Sequence, residues 1–238
     1  MNLINFIKNN LFIQNFFSYL ATLPHPFLEN TLAKYLAIKK AMFMTYVDET
    51  NGSYLEFGVF TGNSFNFAMK INRKMEKHFK KKLNNEFIGF DSFEGFGEIS
   101  EHDKNSAFTN SIFQVNEKKV IKNIQKNSKG QNFRLIKGFY KDTLKNKTSS
   151  DLGINKSRII MIDCDLKDST KLALEFSKPS LQNGTIIIFD DLNYYKGSIK
   201  KGEFGAFEEF KKDNPEIVFR RIFDYGYSGR AYVVCSIN

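Results

Sequence analysis

A chain of 238 residues, 42% of them hydrophobic and 15% aromatic, can bury a core of its own and suits one α/β domain with an appendage. Its formal net charge of +9 admits an anionic partner, but the lysines are scattered over polar stretches such as 77-KHFKKKLNNE-86. No stripe of bases interleaved with aromatics appears, which argues against a nucleic-acid surface.

The opening stretch, MNLINFIKNNLFIQNFFSYLATLPHP, is apolar but is broken by Asn and Lys every few residues. It contains neither a continuous signal-peptide core nor a span long enough for a bilayer. Leu3, Phe6, Ile7, Leu11, Phe16, Phe17 and Leu20 have the spacing of an amphipathic helix. Such a helix packs on the core, covers a site as a lid or joins a partner subunit, with attachment to a membrane surface as a lesser reading. Helical pattern continues to Val47, so residues 1–48 form a helical extension and 49–238 the main domain.

From there strand and helix signals alternate. Strands are predicted at 53-SYLEFGV-59, 86-EFIGFD-91, 132-NFRLIKG-138, 158-RIIMIDC-164 and 184-GTIIIFD-190, with helical patterns near 63–80, 116–127, 168–181 and 203–213. This alternation predicts a mostly parallel sheet with helices on both faces. The segments 216-EIVFRRIF-223 and 228-SGRAYVVCSI-237, joined by a tight Gly-containing connection, predict a C-terminal hairpin that adds an antiparallel edge. Two cysteines, Cys164 and Cys235, are too few for a disulfide framework; each lies in a strand-like run and reads as a reduced core residue of a cytosolic, cytoplasmic protein.

Ligands of open α/β sheets bind outside the carboxyl ends of the strands, so chemistry is sought there. The first strand ends in 56-EFGVFTGNS-64, where Gly58 and Gly62 flank a turn into a helix with Asn63 or Ser64 near its cap. This is E-x-G-x-x-x-G, without the third phosphate-turn glycine of a dinucleotide fold. The second strand ends at Asp91, placed to accept from a ribose diol or, more simply, to cap a turn. The fourth ends in 162-IDCDL-166 and the fifth in Asp190-Asp191, which brings Asp163, Asp190 and Asp191 to one edge of neighbouring strands. Like charges so placed repel one another unless protons or a hard cation neutralise them, and Mg²⁺ is the usual partner of oxygen ligands. A rival reading takes 163-DCD-165 as the metal motif of a glycosyltransferase that uses a nucleotide-sugar. Of the histidines, His25 sits between prolines, His78 lies in a Lys-rich run, and His102 lies in a loop from which it can reach an acceptor.

The succession 55-LEFGVFTGNS-64, 89-GFDSFEGFGE-98, 137-KGFYKDTL-144, 161-MIDCDLKDS-169, 183-NGTIIIFDDLNYYKG-197 and 205-GAFEEF-210 resembles the macrocin and mycinamicin type of sugar O-methyltransferase. The resemblance implies a Rossmann-like class I methyltransferase fold, S-adenosylmethionine (SAM) as donor, Mg²⁺ as cofactor and a sugar hydroxyl as acceptor, small or part of a glycan. It implies that the block carrying Glu56, Phe57, Gly58, Thr61, Gly62 and Ser64 shapes the SAM pocket, and that Asp91 with Ser92 holds the ribose. It makes Asp163, Asp190 and Asp191 the metal ligands. Asp163 is then the first candidate for the general base and Asp165 the second. Two positions depart from the family pattern: Lys167 stands where a tyrosine is usual, and Asn183 where a glycine is. A protein that binds SAM without turnover has the same motifs.

Overall fold

The structure is a computed structural model that describes residues 7, 10–104 and 113–238. Leu3 and Phe6 of the predicted amphipathic repeat lie outside these residues. From Leu11 onward two helices precede the sheet. Helix α1, Leu11–Thr22, starts where the Asn10 side chain accepts from the Ile13 amide. Helix α2, Pro26–Val47, starts at His25, whose Nδ1 accepts from the Phe27 amide, with Pro26 in the first helical position where a missing N–H costs nothing.

The two helices behave differently. No side chain of α1 is buried, so α1 does not pack on the core. Helix α2 buries Ala37, Ile38, Ala41, Met42, Thr45 and Tyr46, spaced by three and four along one face. Its reverse face leaves Leu28, Leu32, Leu36, Phe43 and Val47 exposed.

Seven strands form one sheet in the order β3-β2-β1-β4-β5-β7-β6. They are β1 Gly52–Phe57, β2 Asn84–Asp91, β3 Phe133–Lys137, β4 Ser157–Ile162, β5 Ile186–Phe189, β6 Ile217–Tyr225 and β7 Gly229–Ile237. The first five are parallel; β7 runs antiparallel between β5 and β6. Every residue of β1, β4 and β5 is buried, as expected of strands covered on both faces. Alternate residues divide between two cores. Leu55, Phe90, Ile160 and Phe189 pack with helices α5, Lys167–Ser177, and α6, Gly202–Asp213. Tyr54, Phe87, Met161 and Ile188 pack with α2, with α3, Asn63–Phe79, and with α4, Glu117–Ser128.

Register places the chemistry. Phe57 pairs with Phe90 and with Ile162, and Ile162 pairs with Phe189, so the strand ends are level. The next residues, Gly58, Asp91, Asp163 and Asp190, therefore leave the sheet side by side at the point where strand order reverses between β1 and β4.

At the opposite, amino end of β4, Arg158 is fully buried. Its Nε donates to Thr45 Oγ1 (2.8 Å), Nη1 to Asn72 Oδ1 (3.3 Å) and Nη2 to the Met42 carbonyl (3.3 Å), and its guanidinium lies 4.1 Å from the Tyr46 ring centroid. Burial lowers its pKa to about 10, which leaves it charged at neutral pH.

One core expectation fails. Cys164 is buried, but Cys235 is exposed. The pairing on the β5 side ends at Val234, whose amide donates to the Thr185 carbonyl and whose carbonyl accepts from the Gly184 amide, so from Cys235 onward β7 is flanked by β6 alone.

Candidate functional site

A cavity of about 520 Å³ opens at the carboxyl edge of the sheet. One side is the loop after β1, with Gly58, Val59, Phe60 and Thr61; the other is the acidic group Asp163, Asp165, Asp190 and Asp191. Helix α2 closes it from above with Phe27, Asn30, Thr31, Lys34 and Tyr35.

The loop after β1 is shaped by Gly58 at φ +94°: a Cβ there would lie 1.8 Å from the Asp163 carbonyl oxygen. Glycine is required first because β4 is so close, whatever ligand approaches on the other side. Helix α3 begins at Gly62 in the left-handed conformation with no side-chain cap, so neither Asn63 nor Ser64 caps it as expected. Ser64 instead donates to Glu56 Oε1 (2.7 Å), and the Tyr54 hydroxyl donates to Glu56 Oε2 (2.5 Å). Glu56 is wholly buried beneath the loop, and burial pushes its pKa up to about 7 against those two hydrogen bonds.

The predicted donor block thus splits. Gly58, Thr61, Ser64, Asp91 and Ser92 line the cavity, whereas Glu56, Phe57 and Gly62 do not. Phe57 is buried in the core, stacked on Phe90 at 4.6 Å, and Gly62 faces Ile124 and Val120 of α4. Side chains alternate along a strand, so consecutive motif residues cannot share one face. Asp91 accepts from the Val59 and Phe60 amides (2.7 Å each) through Oδ2 and from the Phe93 amide (2.6 Å) through Oδ1. It orders the loop, and its Oδ1 retains room for one more donor. Ser92 donates to the Gly95 carbonyl and accepts from the Glu94 amide, closing its own turn.

On the acidic side the sheet register gathers Asp163, Asp190 and Asp191, whose oxygens lie within 4.8 Å of one another. The turn at 163-DCD-165 holds Asp165 at φ +60°, a conformation unusual for a residue with a side chain. Burial raises Asp165 to about 6, opposed by a hydrogen bond with Asp191; burial and the neighbouring carboxylates Asp165 and Asp190 raise Asp191 well above the ordinary carboxylate range. Glu203, fully buried in the first turn of α6, accepts from the Asp191 amide (3.0 Å) and the Cys164 amide (3.4 Å), tying the β4 and β5 turns together. Tyr225 donates to Asp190 Oδ1 (2.8 Å) and Ser228 to the Asp190 carbonyl (2.7 Å).

One residue here is invisible to motif reading. The Lys34 ammonium, from α2, lies 2.6 Å from Asp163 Oδ2 and 2.7 Å from Asp190 Oδ2. Burial works against its charge, but the two carboxylates outweigh burial and hold its pKa well above the usual lysine range. Among the described residues it is the only cation lining the cavity, against five carboxylates, Asp91, Asp163, Asp165, Asp190 and Asp191, with Glu203 just beneath.

The histidines stay away from this cavity. His102 Nε2 lies 3.1 Å from Asp168 Oδ1, and the neighbouring Asp103 accepts from the amides of Lys167 (2.6 Å) and Gly202 (3.2 Å). These contacts fasten the connector to the starts of α5 and α6, so His102 serves the loop.

Strand order 3-2-1-4-5-7-6 with a glycine loop after β1 and an acidic second strand end defines a class I, SAM-dependent methyltransferase. The chain belongs to the macrocin-O-methyltransferase (TylF) family, whose model matches residues 33–217, and it is a SAM-dependent O-methyltransferase. That membership sets aside the glycosyltransferase reading of 163-DCD-165. No curated protein sequence matches. Among solved structures, the O-methyltransferase NovP superposes with a TM-score of 0.68 at 21% identity, over 85% of this chain and 80% of that one. The calicheamicin methyltransferase CalS11 gives 0.66 at 19% identity, over 98% and 89%. An O-methyltransferase from Bacillus cereus, in complex with SAH, gives 0.54 at 15% identity, over 92% and 96%. At these identities the likeness is one of fold.

Proposed function

We propose that the enzyme methylates a sugar hydroxyl with SAM as donor and Mg²⁺ as cofactor, in the cytoplasm, in the assembly of a surface polysaccharide or a natural-product glycoside. The observation that carries this reading is the acidic group facing the glycine loop across a single cavity. SAM would lie along the loop Gly58–Thr61, with its ribose at Asp91 and its sulfonium toward Asp163. The acceptor would enter under α2. Its oxygen attacks the methyl carbon, the carbon–sulfur bond breaks with its electron pair going to sulfur, and the hydroxyl proton passes to Asp163, with Asp165 as the second candidate.

The donor set fits a hard divalent cation: five carboxylates, mostly buried, face one ammonium. Asp163, Asp190 and Asp191 would hold Mg²⁺, which when bound supplies the charge that orients vicinal hydroxyls and lowers the acceptor's pKa. Lys34 gives the cluster its one positive charge in this structure and competes with any cation for Asp163 and Asp190. Glu203 and Tyr225 position the ligands from behind.

We take residues 1–48 as a helical extension and 49–238 as the methyltransferase domain. The lid role falls to α2, and the exposed stripe Leu28, Leu32 and Leu36, together with α1, is the contact for a second copy, which light scattering on a chain lacking residues 1–22 tests. For the activity, sugars and activated sugars are incubated with labelled SAM, with and without EDTA. Methyl gain that stops in EDTA and returns with Mg²⁺ is expected; full turnover in EDTA would overturn the metal assignment, and failure to bind SAM would overturn the whole reading.

A further inference from the structure

Much of the chain's positive charge plays no part in the cavity. On α3, Lys70, Arg73, Lys74 and Lys77 recur every three or four residues and so share one helix face with Asn63 and Asn66. That face is not simply solvated. With Tyr35 of α2 and Lys129 beyond α4 it lines a second concavity of about 550 Å³, as large as the first. No carboxylate lines it, and among the described residues Lys70, Lys74, Lys77 and Lys129 form no ion pair. The nearest acid on the helix, Glu76, is held by Asn72 (3.0 Å) and Gln131 (3.1 Å), and Arg73 is fixed by the Ser128 carbonyl (2.8 Å). Asn63 and Asn66 add side-chain amides to the lining, whose N–H groups can donate to phosphate oxygens.

The two cavities are neighbours. Tyr35 and Asn63 line both, and Tyr35 stacks on Phe67 at 4.6 Å and 12°, forming a flat shelf between them. An acceptor with its hydroxyl at Asp163 can extend past Asn63 and over this shelf into a basic trough. Five cations without counter-ions attract negative charge there, in a concavity that concentrates their field. We infer that the trough along α3 receives the phosphate-bearing tail of the acceptor, which is therefore a sugar carried on a diphosphate. This rests on the sugar-methylation reading and deepens it. The diphosphate is the recognised chemistry; its far side is a nucleoside or a lipid.

The test is calorimetric titration of the full chain, saturated with S-adenosylhomocysteine, with UDP, with farnesyl diphosphate and with inorganic pyrophosphate. Diphosphate binding is expected, weakened at least tenfold in Lys70→Gln/Lys74→Gln and again in the independent pair Lys77→Gln/Lys129→Gln, with unchanged melting temperature and unchanged S-adenosylhomocysteine affinity. Binding of UDP alone assigns a nucleoside carrier, farnesyl diphosphate alone a lipid carrier, and both alike the diphosphate itself. The inference is overturned if the protein binds S-adenosylhomocysteine but no diphosphate, or if both double variants bind as tightly as the parent. It is also overturned if a single-stranded oligonucleotide displaces the diphosphates and loses affinity in the same variants. Failure to bind S-adenosylhomocysteine counts against the methyltransferase reading instead.

Discussion

Strand β4 carries a buried charge problem at each end, and the two ends treat it oppositely. At the amino end Arg158 is surrounded by neutral acceptors and an aromatic ring, every one of its contacts supplied by α2, α3 or their neighbours. At the carboxyl end, Asp163 stands in a group of carboxylates with a single ammonium between them, from the same helix α2. The first arrangement is complete within the chain. The second leaves carboxylates in excess of its one ammonium, and we take that imbalance as the mark of the working end.

The contrast is broken most severely at Arg158. Replacing it by alanine removes a long buried side chain and leaves a cavity against the Tyr46 ring, while Asn72 Oδ1 keeps the Tyr46 hydroxyl and the Met42 carbonyl keeps Thr45, so a loss of about 3–5 kcal/mol is expected in chemical denaturation, most of it from the cavity. SAM affinity of the remaining folded protein should be unchanged; a matching drop in SAM affinity would mean the two ends are not separate.

Glu56 sharpens the comparison because it is a third buried charge, under the loop. Its pKa is about 7 in the folded chain against an ordinary 4.5, so the native state holds a proton that the unfolded state has released between these values. Stability is then highest below pH 4.5 as far as this group is concerned, falls as pH rises to about 7 and is flat above. The fall is at most roughly 3 kcal/mol, from about 1.4 kcal/mol per unit. Glu56→Gln should flatten that part of the slope and raise the melting temperature at pH 8; an unchanged pH slope would rule out this source.

At the incomplete end, Asp191→Ala should cut turnover about a hundredfold, on the order of 2.7 kcal/mol. The metal-free protein should melt no lower than the parent, because a repelling carboxylate has gone. If the pair merely held the following turn, the outcome reverses: activity persists and about 0.5–2 kcal/mol of stability is lost. The smallest effect concerns Lys34→Met, which removes the competing ammonium. Terbium luminescence should report about tenfold tighter metal binding, near 1.4 kcal/mol, and equal affinity would show that Lys34 does not compete.

The fold was largely legible before any coordinates. The five parallel strands fall within a few residues of their predicted places because runs such as 185-TIIIF-189 have no other way to be buried, and the C-terminal hairpin follows from its turn. The acidic edge was legible for the same reason, since Asp163 and Asp190 directly follow buried strands and Asp191 comes one residue later. What stayed hidden depends on contacts across the chain. Lys34 meets Asp163 from 129 residues away, and a lysine on a helix announces no partner. The scattered lysines of α3 look solvated until Tyr35 and Lys129 close a trough around them. Which residues of the block around Glu56 reach the cavity also stayed hidden, because the pleat sends Phe57 into the core.

The crowding of Gly58 against β4 bears on how such motifs evolve. Because the carbonyl of Asp163 leaves no space for a side chain, position 58 is fixed by architecture, and a descendant that had abandoned its donor altogether would still need glycine there. The letters that track a change of chemistry should be sought among the aspartates and Thr61, whose side chains the sheet does not dictate.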